Sequence, residues 1–191
     1  QNRTKVTLDQ IPATVRDSVI AAEDANFYHH TGINVRSILR AVDANLESGE
    51  VSQGGSTITQ QVVKNSLVGN EQDLSRKLRE AFLAVELEKQ MSKDEILEYY
   101  LNSVYFGGGA YGVQAASEYY FDKDVGDLNW SEGALLAALI RSPNYYNPFK
   151  NPDVARERRS IVFKRLVTTG KLTQAEADFS EGIALPTVPH K

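Results

Sequence analysis

The sequence contains no cysteine, which excludes disulfide frameworks, cysteine-bound zinc and thiol nucleophiles while leaving the cellular compartment open. It also lacks an excess of basic residues. Twenty-one Lys and Arg stand against 25 Asp and Glu, a formal charge of −4 with the three His neutral. That balance excludes a generally basic nucleic-acid binder, so any anionic ligand must be met by a local basic cluster. Long apolar runs are missing as well. The longest stretch free of strongly polar residues, Gly133 to Ile140, is far too short to cross a bilayer, and the opening Gln1-Asn2-Arg3-Thr4 has no signal-peptide character. If the domain works at a membrane, its anchor is expected outside these residues. Alternating strand patterns are few, and no repeat occurs at solenoid periods.

What is present is an ordinary globular composition, 41 % apolar and 24 % charged, in a length that fits one domain or two apposed lobes. The periodicity is helical almost throughout. Pro12 suits a first helical turn before Val15, Val19 and Ala22, and a second helix is expected from Val35 to about Leu46, stopped by Gly49. Glu50 to Gly55 has no apolar period and reads as a mobile loop. Three capping boxes open further helices: Thr57 to Gln60, Ser92 to Glu95 and Thr173 to Glu176. Between the first two boxes, Leu78, Phe82 and Val85 repeat at helical spacing. Further helices are expected from Ala110 to Tyr120, from Ser131 to Ile140, and from about Pro152 to Thr169, where Gly170 stops the last. The fold class is all-α.

Three places could carry chemistry. Glu23 shares a helical face with the apolar Val19 and Ile20. There it is either a desolvated carboxylate, able to act as a general base, or a helix-end Glu bonded to nearby backbone N–H groups. Asp24, His29 and His30 follow closely, and their spacing does not separate a metal site from a turn. Gly54-Gly55-Ser56-Thr57 running into a helix presents backbone N–H groups and the positive end of the helix dipole to a phosphate, with Gln60, Gln61 and Lys64 beyond it. In Arg76-Lys77-Leu78-Arg79-Glu80 the carboxylate shares a helix face with Arg76 and Lys77, as a solvated ion-paired face or as part of a phosphate-seeking cluster. The aromatic residues from Tyr99 to Phe121 read as core and interface packing, and Ser142 to Pro148 as a rigid supporting turn.

Taken together, these segments resemble the peptidoglycan glycosyltransferases of glycosyltransferase family 51. Glu23 to Gly32 fits E-D-x-x-F-x-x-H-x-G, Gly55 to Gln61 the second family motif, and Arg76 to Glu80 R-K-x-x-E. Lys93 to Asn102 fits the fourth motif, and Ser142 to Pro148 supplies the fifth. The resemblance covers about Thr7 to Asp178. It implies a lysozyme-like fold with a head lobe and a smaller, membrane-facing jaw lobe, over a domain at 1–184 followed by a linker or tail at 185–191. It also implies catalytic roles for Glu23, as general base, and for Glu80. Asp24, Phe27, His30, Ser56, Thr57, Gln60, Gln61, Lys64, Arg76, Lys77 and Arg79 would bind substrate, and Asn102, Tyr146 and Asn147 would support the motifs.

The partners so implied are lipid II, the growing glycan chain, the membrane surface and a moenomycin-type inhibitor, with a divalent cation (Mg or Mn) at the diphosphate and no nucleic acid. The localisation so implied is the extracytoplasmic face of the bacterial cytoplasmic membrane. Two departures stand out: Gln72 replaces a basic residue four positions before the R-K pair, and Arg141 begins the fifth motif. No S-x-x-K or K-T-G occurs, so no transpeptidase site is expected. The alternatives are a lysozyme-like glycan-cleaving enzyme, which needs a general acid for a sugar leaving group, and a non-catalytic lipid II-binding module, which would not need both Glu23 and Glu80.

Overall fold

A computed structural model describes residues 4–34, 55–66 and 74–190. The described residues contain eight α-helices: α1 (Ala13–Glu23), α2 (Ile58–Ser66), α3 (Leu74–Gln90), α4 (Lys93–Ser103), α5 (Val113–Phe121), α6 (Trp130–Ile140), α7 (Pro152–Thr168) and α8 (Gln174–Glu181). One short antiparallel hairpin, β1 (Tyr105–Gly107) with β2 (Ala110–Tyr111), interrupts them. The expected second helix, the loop to Gly54 and the departure at Gln72 lie outside the described residues. The chain forms two compact units, the larger from Gln1–Ala25 with Glu98–Lys191 and the smaller from Asn26–Leu97.

In the larger unit α6 is the central helix. Apart from Glu132, every residue from Ser131 to Leu139 is buried, which is the pattern of a helix covered all round. Helices α1 and α7 pack on it. The approach of α1 is set by Gly133: a Cβ there would lie 2.2 Å from the Thr14 carbonyl oxygen. Only a residue without a side chain lets the two backbones meet so closely. Asn129 caps α6 by accepting from the Glu132 amide at 3.0 Å, and Glu132 returns the bond to the Asn129 amide, also at 3.0 Å.

Two helix starts differ from expectation. Pro12 is the residue before α1, in extended backbone, and its carbonyl accepts from the Val15 and Arg16 amides. The helix expected from Ala110 begins at Val113, because Gly107, Gly108 and Gly109 all take positive φ and fold the chain into the hairpin. At the other end, residues 183–190 carry no helix or strand, but they are not loose. Leu185 is buried, and the His190 amide donates to the Tyr119 carbonyl at 2.8 Å. Arg159, 2 % exposed, donates to Ser131 Oγ at 2.6 Å and to the carbonyls of Glu181 at 3.1 Å and Ile183 at 3.0 Å.

In the smaller unit α2 packs on α3. The box opening α2 forms reciprocally, Gln60 amide to Thr57 Oγ1 at 3.0 Å and Thr57 amide to Gln60 Oε1 at 2.9 Å. The Ser92–Glu95 box opens α4 in the same way. The apolar stripe of α3 is not where its spacing suggests. Leu78 is 65 % and Phe82 64 % exposed, whereas Glu80 and Ala84, one turn apart, are buried. The cause is Gly32, at φ +96, where a Cβ would lie 2.7 Å from the Ala84 carbonyl. Its bare backbone seats the Ala84 side of α3 and turns Leu78 and Phe82 outward.

Candidate active site

Glu23 is the last residue of α1, half-buried, and belongs to the larger unit. The helix ends there because Asp24 turns to φ −159. Asp24 is itself buried. Tyr100 of α4 is fully buried, and burial first, then the charges of Glu23 and Asp24, pushes its hydroxyl well above the ordinary tyrosine range. That hydroxyl stays protonated beside the two carboxylates. From α7, Arg165 donates to the Ala22 carbonyl next to Glu23. Arg158, also on α7, is buried with its guanidinium over the Tyr146 ring, 5.7 Å from the centroid. Glu23 therefore stands next to the buried Asp24, with the Arg165 guanidinium on the preceding carbonyl.

The smaller unit holds the second carboxylate. Glu80, 3 % exposed, takes Lys77 Nζ at 2.7 Å, and the same ammonium donates to Ser56 Oγ at 2.9 Å. The anticipated sharing of one face by Lys77 and Glu80 is realised as an ion pair, with Ser56 brought onto it from the entrance to α2. Arg76 is half-buried, and Lys64 and Arg79 are exposed, on the last turn of α2 and on α3. Lys77 thus joins a hydroxyl to a buried carboxylate, on helices that also carry Lys64, Arg76 and Arg79.

Several residues expected to touch substrate are otherwise engaged. Phe27 is fully buried, with Lys93 Nζ 4.6 Å from its ring centroid. Thr57 and Gln60 are buried and use their polar atoms in the α2 cap, while Thr57 Oγ1 donates to the Gly32 carbonyl at 2.7 Å. They fix the entry to α2, and Gln61, half-buried, follows them on the helix. His30 accepts from the Gly32 amide through Nδ1 at 3.1 Å, so that nitrogen keeps its lone pair. It stands 3.8 Å from Glu88, whose carboxylate also accepts from Thr59 Oγ1 at 2.6 Å and Lys93 Nζ at 2.7 Å. Glu88 and Lys93 were missed as a pair because their meeting crosses from α3 to α4; only the chance of a Lys five residues after a Glu was visible.

The supporting residues are clear. Asn102 exchanges two bonds with Val6, amide to Oδ1 at 3.0 Å and Nδ2 to carbonyl at 2.8 Å. Asn147 is buried and accepts from the Phe149 amide at 2.9 Å, while Tyr146 carries Arg158. Arg158 itself was not singled out in the sequence. Its signal was a pair of arginines followed by the apolar Val162 and Phe163 on one helix.

The sequence model described as Transglycosylase matches residues 1–167. This chain belongs to the transglycosylase family. Penicillin-binding protein 1A of Aquifex aeolicus is 44 % identical over the whole chain, which spans 26 % of that protein. Penicillin-binding protein 1A of Escherichia coli is 45 % identical over 93 % of the chain, covering 21 % of its own length. The transglycosylase chain thus spans about a quarter of these relatives. A crystal structure of penicillin-binding protein 1A from Haemophilus influenzae has the same fold, with TM-score 0.58 and 23 % identity, over 99 % of this chain and 18 % of that one. The transglycosylase fold is thus mostly helical, as expected, with the β1–β2 hairpin added.

Proposed function

We propose that the domain polymerises lipid II, a disaccharide-peptide on an undecaprenyl diphosphate, into β-1,4-linked glycan with release of the lipid diphosphate. The observation that carries the reading is the Lys77 bridge between Ser56 and Glu80, a cation held on a buried carboxylate within a chain of the transglycosylase family. Glu23 removes the proton of the acceptor sugar's 4-hydroxyl. The oxygen so freed attacks the anomeric carbon of the donor, and the carbon–oxygen bond to the diphosphate breaks with inversion. The departing diphosphate needs positive charge and not a strong acid, which Lys64, Arg76, Lys77 and Arg79 supply. Glu80 fixes Lys77, and Ser56 and Gln61 complete the donor subsite. The same cations suit the phosphate of a moenomycin-type inhibitor.

Among the described residues no group of three or more His, Asp or Glu is placed to hold a metal ion by itself, so a divalent cation here would be held mainly by the oxygens of the diphosphate. No step is routed through a metal. The exposed Leu78 and Phe82 support contact with a membrane surface, and the substrate class places the reaction on the extracytoplasmic face of the cytoplasmic membrane. The test is polymerisation of labelled lipid II in detergent. Wild type is expected to form polymer, Glu23→Gln to lose it while still binding lipid II, and Glu80→Gln to lose most of it. Fragmentation of finished peptidoglycan instead would support a lysozyme-like enzyme, and binding of lipid II without polymer a binding module.

A further inference from the structure

In the smaller unit one carboxylate has no part in the reaction above. The Glu88 side chain is 8 % exposed and follows the buried Glu80 and Ala84 at four-residue intervals, on one stripe of α3. The first turn of α2 and the residue entering it are laid along that stripe at three points. At one end Ser56 meets Lys77 on Glu80. In the middle the Gly32 backbone lies against Ala84, and its carbonyl accepts from Thr57 Oγ1. At the other end the fully buried Thr59 donates through Oγ1 to Glu88 Oε1 at 2.6 Å. The same oxygen accepts from Lys93 Nζ at 2.7 Å. Lys93 Nζ in turn lies 3.3 Å from His30 Nδ1 and over the Phe27 ring. One atom of Glu88 thus ties α2, α3 and the start of α4 together, all within the smaller unit.

Local stability does not call for this arrangement. Lys93 is the first residue of α4, where a cation opposes the helix dipole. A largely buried ion pair is a poor source of stability beside an apolar pair of the same size. A neutral acceptor would be enough to hold Thr59. What the charged pair adds is geometry, since a hydroxyl from α2 and an ammonium from α4 must converge on one oxygen of α3. We propose that Glu88 is a positioning residue for the donor subsite: by holding Thr59 it fixes the first turn of α2, and so sets Ser56 and Gln61 for the substrate. This rests on the reading of Ser56 and Gln61 as donor contacts. Thr59 is the second residue of α2, three positions after Ser56 and two before Gln61, so a shift of its turn carries both. Lys93 holds the carboxylate from the opposite side. Glu88 touches no substrate and acts through Thr59.

The test uses Thr59→Val, which removes the hydroxyl and keeps the shape, Thr59→Ser, which keeps the hydroxyl and loses the methyl group, and Glu88→Gln. Each is measured for kcat and KM in polymerisation of lipid II and for melting temperature. With Glu23→Gln added to stop the reaction, each is also measured for the Kd of labelled lipid II in detergent. Thr59→Val is expected to raise KM and Kd together by about tenfold with kcat nearly unchanged, the mark of lost binding and not of lost chemistry. Thr59→Ser should leave both nearly in place. Glu88→Gln should move both in the direction of Thr59→Val, which carries the test alone if the amide is not tolerated. Lower melting temperatures with KM and Kd unmoved, or a Thr59→Ser effect as large as that of Thr59→Val, overturn the proposal and leave Glu88 a packing anchor. A fall in kcat alone overturns it as well. If the wild type binds lipid II without forming polymer while Thr59→Val still weakens binding, the positioning stands and the reading of the reaction falls. A wild type that does not bind lipid II overturns both.

Discussion

Taking the ammonium off Lys77 leaves Glu80 as a buried carboxylate without its Lys77 ion pair, and the cost can be bounded. Half of the Lys77 side chain is exposed, so solvent screens the pair and the loss should be about 1–2 kcal/mol, below that of a fully buried ion pair. We predict that Lys77→Met lowers stability by that amount in chemical denaturation, and that Lys77→Met combined with Glu80→Gln recovers part of it. A double mutant that is simply additive would show that the two groups do not interact. Individual residues were unevenly legible in the sequence. Glu80 and Lys77 could be paired in advance because three-residue spacing on a helix is a local rule. Phe27, Thr57 and Gln60 were read as substrate contacts because their motif carries that expectation, whereas their burial depends on what packs above them. Arg158 was invisible for the same reason, since nothing in a sequence says that a tyrosine 12 positions earlier will lie beneath a guanidinium.

Elements were read best where the signal is short in range. The three capping boxes form as expected because each is closed by atoms three residues apart. The start of α5 was misplaced because three glycines can either precede a helix or turn a hairpin, and only the partner strand chooses. On α3 the repeat of Leu78, Phe82 and Val85 located a stripe but not which side of the helix finds a neighbour. For α6, two substitutions separate local from tertiary control. Asn129→Ala removes one cap and should cost about 1 kcal/mol. Gly133→Ala drives a methyl group into the Thr14 carbonyl, and since both partners are backbone the helices must separate; a loss of about 3 kcal/mol or more is expected. Denaturant titration of both variants checks the order, and a Gly133→Ala variant as stable as Asn129→Ala would mean that the α1–α6 contact yields easily.

At the scale of the molecule, stability should fall at both ends of the pH range. Asp9, Glu95 and Glu176 all hold their carboxyls below the usual range: Asp9 through the Thr7 side chain first, the other two through the Ser92 and Thr173 amides first. A depressed group stabilises above its unfolded value and loses that contribution as pH drops through the folded one, so thermal melting should weaken below about pH 4. Tyr100 and Tyr120 behave oppositely, both raised chiefly by burial. Their contribution is complete below the unfolded value of 10.0 and is lost as pH rises above it. Of the nine tyrosines, these two should ionise only as the larger unit unfolds, seen as a late step in ultraviolet absorbance that coincides with loss of helicity. Early, gradual ionisation of all nine would contradict their burial.

The Arg159 clamp has a different sensitivity. Its partners are a hydroxyl and two carbonyls, dipoles with no net charge for counter-ions to gather around. Concentrated salt that dissolves the exposed Lys–Glu and Arg–Asp pairs therefore has little purchase on it. Residues 183–190 should stay seated in brine and come away only with agents that compete for amide bonds, so a salt wash and a urea wash will distinguish the two kinds of bond in one molecule.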